Sequence, residues 1–123
     1  MTLAVGVIGL GVMGAEHLRL LREETAGVRV TAICDADSER AGRLAQGAVV
    51  FADPMALIAS DKVEAVVIAS PDATHAGLAL ACLSAGKPAL CEKPLATNEA
   101  HAREMAAAAA RAGVVNMVNL SYR

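Results

Sequence analysis

Three glycines near the amino terminus have the spacing of a phosphate-binding turn. Gly9, Gly11 and Gly14 follow a short apolar segment and stand in the order G-x-G-x-x-G. The first glycine permits a tight turn, the second lets a pyrophosphate approach the backbone, and the third lets a helix lie close to the sheet. The free N–H groups and the positive dipole end of that helix would face the phosphates. The dinucleotide contacts predicted in this turn are Gly9, Leu10, Gly11, Val12, Met13 and Gly14.

An acidic residue completes the dinucleotide-binding pattern. Asp35 stands about 20 residues beyond the last glycine, where a second apolar segment ends. Its carboxylate can accept hydrogen bonds from both hydroxyls of an adenosine ribose and repels a 2′-phosphate, so we expect NAD rather than NADP. Arg40 is close enough in sequence to weaken that preference. Two alternatives stay open, since the glycine turn could serve packing alone and Asp35 could be a capping carboxylate, a role that Asp37 or Ser38 would fill equally well.

Two further segments follow apolar strands and could reach the same site. Ligands of a doubly wound sheet bind at the carboxyl ends of its strands, which places segments 69–75 and 91–94 near the nicotinamide end of a cofactor. Lys93, if partly desolvated there, could polarise a substrate oxygen or relay a proton. It could equally be a surface lysine paired with Glu92. His75 could line the cofactor pocket or stabilise the start of a helix.

The elements that must position these residues alternate between strand and helix. Apolar runs, caps and breakers predict a parallel, doubly wound α/β sheet of the Rossmann type, in three α/β/α layers. The predicted strands are 4–8, 28–34, 48–51, 65–69, 89–91 and 114–120. The predicted helices are 13–22, 38–46, 54–59, 74–85 and 98–112, with Asp53 and Thr97 as caps of the third and fifth.

Composition restricts the class of protein. The chain has 123 residues, enough for one domain, and 55% of them are hydrophobic. An aromatic content of 2% and a net charge of −2 argue against a nucleic-acid or membrane-surface partner. No run of apolar residues approaches the length of a membrane span.

The remaining titratable residues indicate no second site. Cys34, Cys82 and Cys91 lack C-x-x-C spacing, so we expect reduced, buried thiols in a cytoplasmic protein. His17 and His101 fall in predicted helices away from the strand ends, and they receive no role. No group of His, Cys and carboxylates has metal-ligand spacing, so no metal site is expected.

Four motifs, in order along the chain, resemble the N-terminal domain of the Gfo/Idh/MocA oxidoreductase family. They are the glycine turn 9–14, the acidic segment 34–37, the segment Ser70-Pro71-Asp72 with His75, and Glu92-Lys93-Pro94. The resemblance implies an NAD(P)-dependent enzyme that oxidises a sugar or polyol hydroxyl or reduces the matching ketone. It implies that Lys93 contacts substrate and assists proton movement, and that the Lys93–Pro94 bond is a candidate cis peptide. The residues that it implies line the cofactor are Ser70, Pro71, His75 and Glu92.

The resemblance also implies a second domain. Family members continue into another α/β domain, which supplies the substrate pocket and a catalytic histidine. We therefore expect residues 1–118 to form the dinucleotide-binding domain and residues 119–123 to begin the crossover to that second domain. The chain alone should bind NAD, lack efficient turnover and associate through faces that the second domain would cover.

Two other functions fit parts of the pattern. A non-catalytic dinucleotide-binding module, serving as redox sensor or scaffold, would keep the glycine turn and Asp35 but have no use for Lys93. A domain that binds coenzyme A, another nucleotide or S-adenosylmethionine could share the glycine-rich turn, although the Glu92-Lys93-Pro94 element argues against it.

Overall fold

A computed structural model describes residues 2–93 and 96–119. The strands are β1 (Leu3–Ile8), β2 (Val28–Cys34), β3 (Val49–Phe51), β4 (Ala65–Ile68), β5 (Ala89–Glu92) and β6 (Asn116–Asn119). The helices are α1 (Val12–Glu23), α2 (Ser38–Leu44), α3 (Pro54–Ala59), α4 (His75–Ser84) and α5 (Glu99–Ala112). The Lys93–Pro94 peptide and residues 120–123 of the predicted crossover lie outside the described residues.

All six strands form one parallel sheet in the order β3-β2-β1-β4-β5-β6. The predicted doubly wound fold is therefore confirmed. The strand order reverses between β1 and β4, whose last residues Ile8 and Ile68 lie side by side. Crevices for ligands open at this switch point, beyond the carboxyl ends of the strands.

Helices cover both faces of the sheet because the strands are apolar on both sides. On one face, Leu18 of α1 and Ala41 of α2 pack with Val5 and Val7 of β1. On the other face, α3, α4 and α5 pack against the alternate strand residues, including Ile8 and Ile68 of the central strands. The three-layer arrangement predicted from the sequence follows directly from this alternation.

Gly6 in the middle of β1 explains how α3 approaches the sheet. A Cβ atom at this position would lie 2.6 Å from Leu57 Cδ2 and 3.3 Å from Val63 Cγ1. Leu57 is fully buried, so its side chain has little room to move. No role is predicted for Gly6 from the sequence, and its close approach to Leu57 and Val63 makes it a packing glycine.

Helix starts agree with the predicted caps in two cases and correct a third. Asp37 accepts a hydrogen bond from the Arg40 N–H at the start of α2, and Asp53 accepts one from the Met55 N–H at the start of α3. The predicted cap of α5, Thr97, was wrong. Its neighbour Asn98 accepts from the backbone N–H of the third helical residue, one position later than expected.

The predicted helix 74–85 also differs in its first turn. Residues Asp72–Thr74 form a 3₁₀ turn, and α4 proper begins at His75. No helix in the described part of the chain is long and apolar enough to cross a membrane. The three cysteines are free and buried, as predicted.

Candidate functional site

A cleft of about 650 Å³ opens at the carboxyl ends of β1, β2 and β4. The glycine turn forms its floor, the segment after β2 forms one wall, and the segment after β4 forms the opposite wall. The start of α3 closes one side. Its described lining is Ile8, Gly9, Gly11, Cys34, Asp35, Ala36, Asp37, Arg40, Ala52, Pro54, Ala69, Ser70, Pro71, Thr74 and Leu78.

Two of the three motif glycines are required by the fold itself. Gly9 has φ +90°, and a Cβ atom there would lie 2.6 Å from the Ala69 carbonyl carbon. A Cβ atom on Gly14 would lie 2.6 Å from the carbonyl carbon of Gly9. Gly9 thus permits the tight turn and Gly14 the close approach of α1, as predicted from their spacing, and Gly9 also makes room for the end of β4.

Gly11 is different, because nothing in the described fold requires glycine there. Its φ of −69° suits any residue, and a Cβ atom would meet no atom within 4 Å. Gly11 is also the N-cap of α1, where no side chain caps the helix. The arrangement leaves the helix N-terminus open above the cleft floor, which is the geometry of a phosphate-binding turn.

Asp35 sits at the end of β2 with its carboxylate mostly buried. Oδ1 accepts a hydrogen bond of 2.7 Å from the Leu10 N–H, and Oδ2 accepts one of 2.8 Å from the Asp37 N–H. The carboxylate therefore fastens the glycine turn to the neighbouring strand while it lines the cleft. A carboxylate oxygen has capacity for further bonds, so these contacts leave acceptor positions for a ribose hydroxyl.

Arg40 is the cation of this wall. Its Nη1 lies 3.5 Å from Asp35 Oδ2, and its Nη2 lies 3.9 Å from Asp37 Oδ2. Hydrogen bonding from the Arg40 N–H, followed by the guanidinium charge, lowers the pKa of Asp37. The wall thus presents two carboxylates and one guanidinium, and its net charge is negative.

Cys34 lines the cleft but carries no nucleophilic character. Burial raises the pKa of its thiol above the ordinary value, and the charges of Asp35 and Asp53 raise it further. The thiolate is the reactive form of cysteine. Cys34 therefore stays a neutral thiol and acts as a small apolar residue at the end of β2.

The wall after β4 is held by hydroxyl and imidazole groups. Ser70 Oγ lies 2.6 Å from Thr74 Oγ1, which donates to the Pro71 carbonyl at 2.6 Å. His75, only 1% exposed, places Nε2 2.9 Å from the Ser70 carbonyl oxygen. His75 starts α4 from behind the cleft wall, so it supports the segment that carries Ser70 and Pro71.

The end of β5 lies beside the helix that starts at the glycine turn. Glu92, the last residue of β5, is 8% exposed, and its Oε1 lies 2.5 Å from His17 Nε2 of α1. Lys93 follows at once and is exposed. The prediction that His17 lies away from the strand ends was wrong, since it contacts the last residue of β5, and no pattern in a sequence pairs residues 75 positions apart.

The cleft brings together only part of the predicted set. Five predicted cofactor residues are in its lining: Gly9, Gly11, Asp35, Ser70 and Pro71. The other predicted residues lie in or beside the same elements without forming its lining, namely Leu10, Val12, Met13, Gly14, His75, Glu92 and Lys93. Among the described residues, no group of three or more His, Cys, Asp or Glu side chains could hold a metal ion.

Some residues of the cleft lining were not predicted from the sequence. Pro54, at the first turn of α3, and Leu78, in the first turns of α4, both line the cleft. The available signal was the Asp53-Pro54 helix start, which places a helix end beside β3. Nothing local marks Leu78, since it belongs to the buried face of α4 like its apolar neighbours.

Comparison with known proteins extends these observations. A family model described as the oxidoreductase family Gfo/Idh/MocA, NAD-binding Rossmann fold, matches residues 3–120. The chain is 57% identical over 104 residues to inositol 2-dehydrogenase 1 of Saccharopolyspora erythraea, covering 81% of the chain and 31% of that protein. It is 51% identical over 113 residues to inositol 2-dehydrogenase of Rubrobacter xylanophilus, covering 90% and 33%.

Solved structures give the same result. The structure of GenD2 from gentamicin A biosynthesis in complex with NAD is 38% identical, with a TM-score of 0.89 over 96% of this chain and 34% of that one. Myo-inositol 2-dehydrogenase from Lactobacillus plantarum is 25% identical, with a TM-score of 0.90 over 97% and 36%. The chain spans about one third of the length of the relatives that it matches. By sequence and by fold, the chain belongs to the Gfo/Idh/MocA oxidoreductase family and corresponds to its NAD-binding Rossmann fold.

Proposed function

We propose that the chain binds NAD in the cleft and serves as the cofactor half of a dehydrogenase that interconverts a polyol hydroxyl and the matching ketone. The observation that carries the proposal is the open space above Gly11 at the uncapped start of α1. Packing explains Gly9 and Gly14, whereas no atom of the described fold fills the space above Gly11, and a pyrophosphate lying against the backbone would fit there.

Different residues of the cleft would bind different parts of the cofactor. The N–H groups at the start of α1 would hold the pyrophosphate, and Asp35 would accept from the adenosine ribose. Arg40 partly neutralises Asp35 and Asp37, yet the net charge of this wall stays negative, which disfavours the 2′-phosphate of NADP. When bound, the nicotinamide supplies the hydride acceptor or donor.

The polyol substrate rests on the relatives. The two curated relatives above are named inositol 2-dehydrogenases, and their identity to this chain exceeds 50% over most of its length. We place the hydride donor or acceptor carbon near the end of β5, where Lys93 would contact the substrate oxygen and assist its proton transfer. Residues 1–118 would form the cofactor domain, and a second domain would supply the rest of the substrate site.

Two further features accompany this function. The buried free thiols of Cys34, Cys82 and Cys91 fit a cytoplasmic protein, where thiols stay reduced. Val115 and Met117, 69% and 60% exposed beside and on the edge strand β6, offer an apolar surface through which copies of the chain could associate.

A calorimetric titration of the chain with NAD(H) and NADP(H) tests the proposal. NAD(H) should bind at least about 10-fold more tightly than NADP(H), because like charges across a binding site are strongly disfavoured. Asp35→Asn retains an acceptor for the Leu10 N–H and removes the charge, so it should reduce the preference without unfolding the turn. Asp35→Ala removes both and should weaken NAD(H) binding as well.

Two results would contradict the proposal. Absence of NAD(H) binding by a chain that is folded by circular dichroism would leave the glycine turn as a packing feature. Binding of coenzyme A or S-adenosylmethionine in place of NAD(H) would assign the cleft to another nucleotide ligand.

A further inference from the structure

The contact between His17 and Glu92 joins helix α1 to the end of strand β5. His17 lies in the second turn of α1, the helix whose N-terminus forms the cleft floor, and Glu92 ends β5. β4 lies between β1 and β5 in the sheet. The contact of 2.5 Å between His17 Nε2 and Glu92 Oε1 therefore links β5 to the helix that follows β1, a strand that is not its neighbour in the sheet.

Both side chains of the His17–Glu92 contact are largely buried. The side chains of His17 and Glu92 are 14% and 10% exposed. A carboxylate in such a place is stable when its oxygens are hydrogen-bonded, and the loss of a partner is strongly disfavoured. Glu92 stands on the face of β5 that carries Leu90, which packs against the core cluster containing Leu18 of α1, so its side chain is directed towards α1.

Glu92 is also the residue directly before Lys93. Any movement of the Glu92 backbone is transmitted to Lys93 through one peptide plane. The elements that would carry the two functions, α1 for the cofactor phosphates and the end of β5 for Lys93, are thus fixed to each other through His17.

We propose that His17 is a positioning residue, which by its bond to Glu92 fastens the phosphate-binding helix α1 to the end of β5 and so places Lys93 against the bound cofactor. The inference rests on the proposed function. It predicts that His17 affects the rate of the reaction more than it affects cofactor affinity. A displacement of about 1 Å between reacting groups can lower a rate about 100-fold.

The kinetic test uses the complete oxidoreductase that contains this domain, with His17→Ala, His17→Gln and Glu92→Gln. His17→Ala should lower kcat at least about 10-fold, while the Kd of NADH changes less than about 3-fold. His17→Gln retains an N–H donor that can reach Glu92 and should recover most of the rate. The double variant His17→Ala/Glu92→Gln should lose no more than the worse single variant, because the two residues act through one contact.

The matched control is His101→Ala. His101 is an exposed histidine of α5 whose described side-chain contact, at 3.3 Å, is with Asn98 at the start of its own helix. This variant should leave kcat and the Kd of NADH unchanged. Thermal denaturation of every variant separates loss of fold from loss of positioning.

Hydrogen exchange of the chain itself gives a readout that needs no turnover. His17→Ala should accelerate exchange of the amides of residues 90–93 at least about 10-fold relative to the wild type, and His17→Gln should not. Unchanged exchange, or a folded His17→Ala enzyme with wild-type kcat, would overturn the inference. An enzyme whose wild type has neither NAD binding nor polyol activity would instead overturn the proposed function, and the exchange data would still decide whether His17 holds the end of β5.

Discussion

A lysine stands close to each end of β5, and the surroundings of the two side chains differ. Lys87, just before the strand, donates hydrogen bonds of 2.5 Å to the Ile58 carbonyl and 2.7 Å to the Ser60 carbonyl. These carbonyls end α3, so the ammonium caps that helix. Lys93, just after the strand, is exposed beside the cleft-forming elements. One lysine completes the fold, and the other stands where the chemistry is proposed.

The same contrast holds between the side of the sheet where the strands begin, which is the amino edge, and the side where they end, which is the carboxyl edge. At the amino edge, polar groups bond to other parts of the fold: Glu64 accepts from the Ala4 N–H, and the Thr31 hydroxyl donates to the Lys62 carbonyl. At the carboxyl edge, α1 and α4 start without a capping side chain, whereas α2, α3 and α5 are capped by Asp or Asn. Both uncapped helices begin beside the cleft, where Gly11 and Thr74 are part of its lining.

The largest effect is expected at Lys93. In the complete oxidoreductase, Lys93→Met should lower kcat about 10²–10⁴-fold, the usual contribution of a positioned acid–base group. The Kd of NADH and the melting temperature should stay close to those of the wild type, because the side chain is exposed. Steady-state kinetics with a polyol, together with calorimetry, measure all three quantities.

Lys87→Met is the matched control for that experiment. It should leave kcat nearly intact, provided that the assay temperature stays below its melting transition. A Lys93→Met enzyme that retains full activity would favour a non-catalytic dinucleotide-binding module over a dehydrogenase domain.

How far the sequence predicted the contacts of these two edges depends on whether the residues belong to a recurrent motif. Asp35 and the turn glycines form such a motif, so their spacing was sufficient to place them at the carboxyl ends of the strands, although Asp35 accepts from the Leu10 N–H 25 positions away. The cap of α5 was predicted one residue too early, at Thr97, although N-cap propensity already favours Asn over Thr and so favours Asn98, the residue that the structure uses.

Contacts between distant segments could not be predicted in the same way. The bond between Lys87 and the end of α3 joins residues 29 and 27 positions apart, and the bond between His17 and Glu92 joins residues 75 positions apart. Each depends on how the helices pack on the sheet. A charged Glu92 ending an apolar strand does signal that a partner is needed, but the partner's identity appears only in the folded chain.

The second expected effect concerns Gly11. Gly11→Val should raise the Kd of NADH at least about 100-fold, because the side chain would occupy the space through which the pyrophosphate approaches. The free energy of unfolding should fall by only about 1 kcal/mol, the cost of Val at an N-cap, since a Cβ atom at position 11 meets nothing within 4 Å. Calorimetry and urea denaturation give the two quantities.

Variants of two other glycines serve as comparisons for Gly11→Val. Gly42→Ala, within α2 and equally free of neighbours, should leave the Kd unchanged and stabilise the chain by about 0.5–1 kcal/mol. Gly14→Ala should lower both stability and affinity, because its Cβ atom would collide with the Gly9 carbonyl. If Gly11→Val bound NADH as the wild type does, the open space at the start of α1 would have no ligand to explain it.

The smallest of the three effects is expected at the amino edge. Lys87→Met keeps most of the aliphatic length of the side chain and removes the ammonium, so the Ile58 and Ser60 carbonyls lose a charged donor. The free energy of unfolding should fall by about 2 kcal/mol, as for other hydrogen bonds to charged groups. Lys87→Arg retains the charge and should recover part of this loss. Urea denaturation measures the change, and a loss of NADH affinity in the folded Lys87→Met chain would mean that the two edges of the sheet are less independent than their contacts indicate.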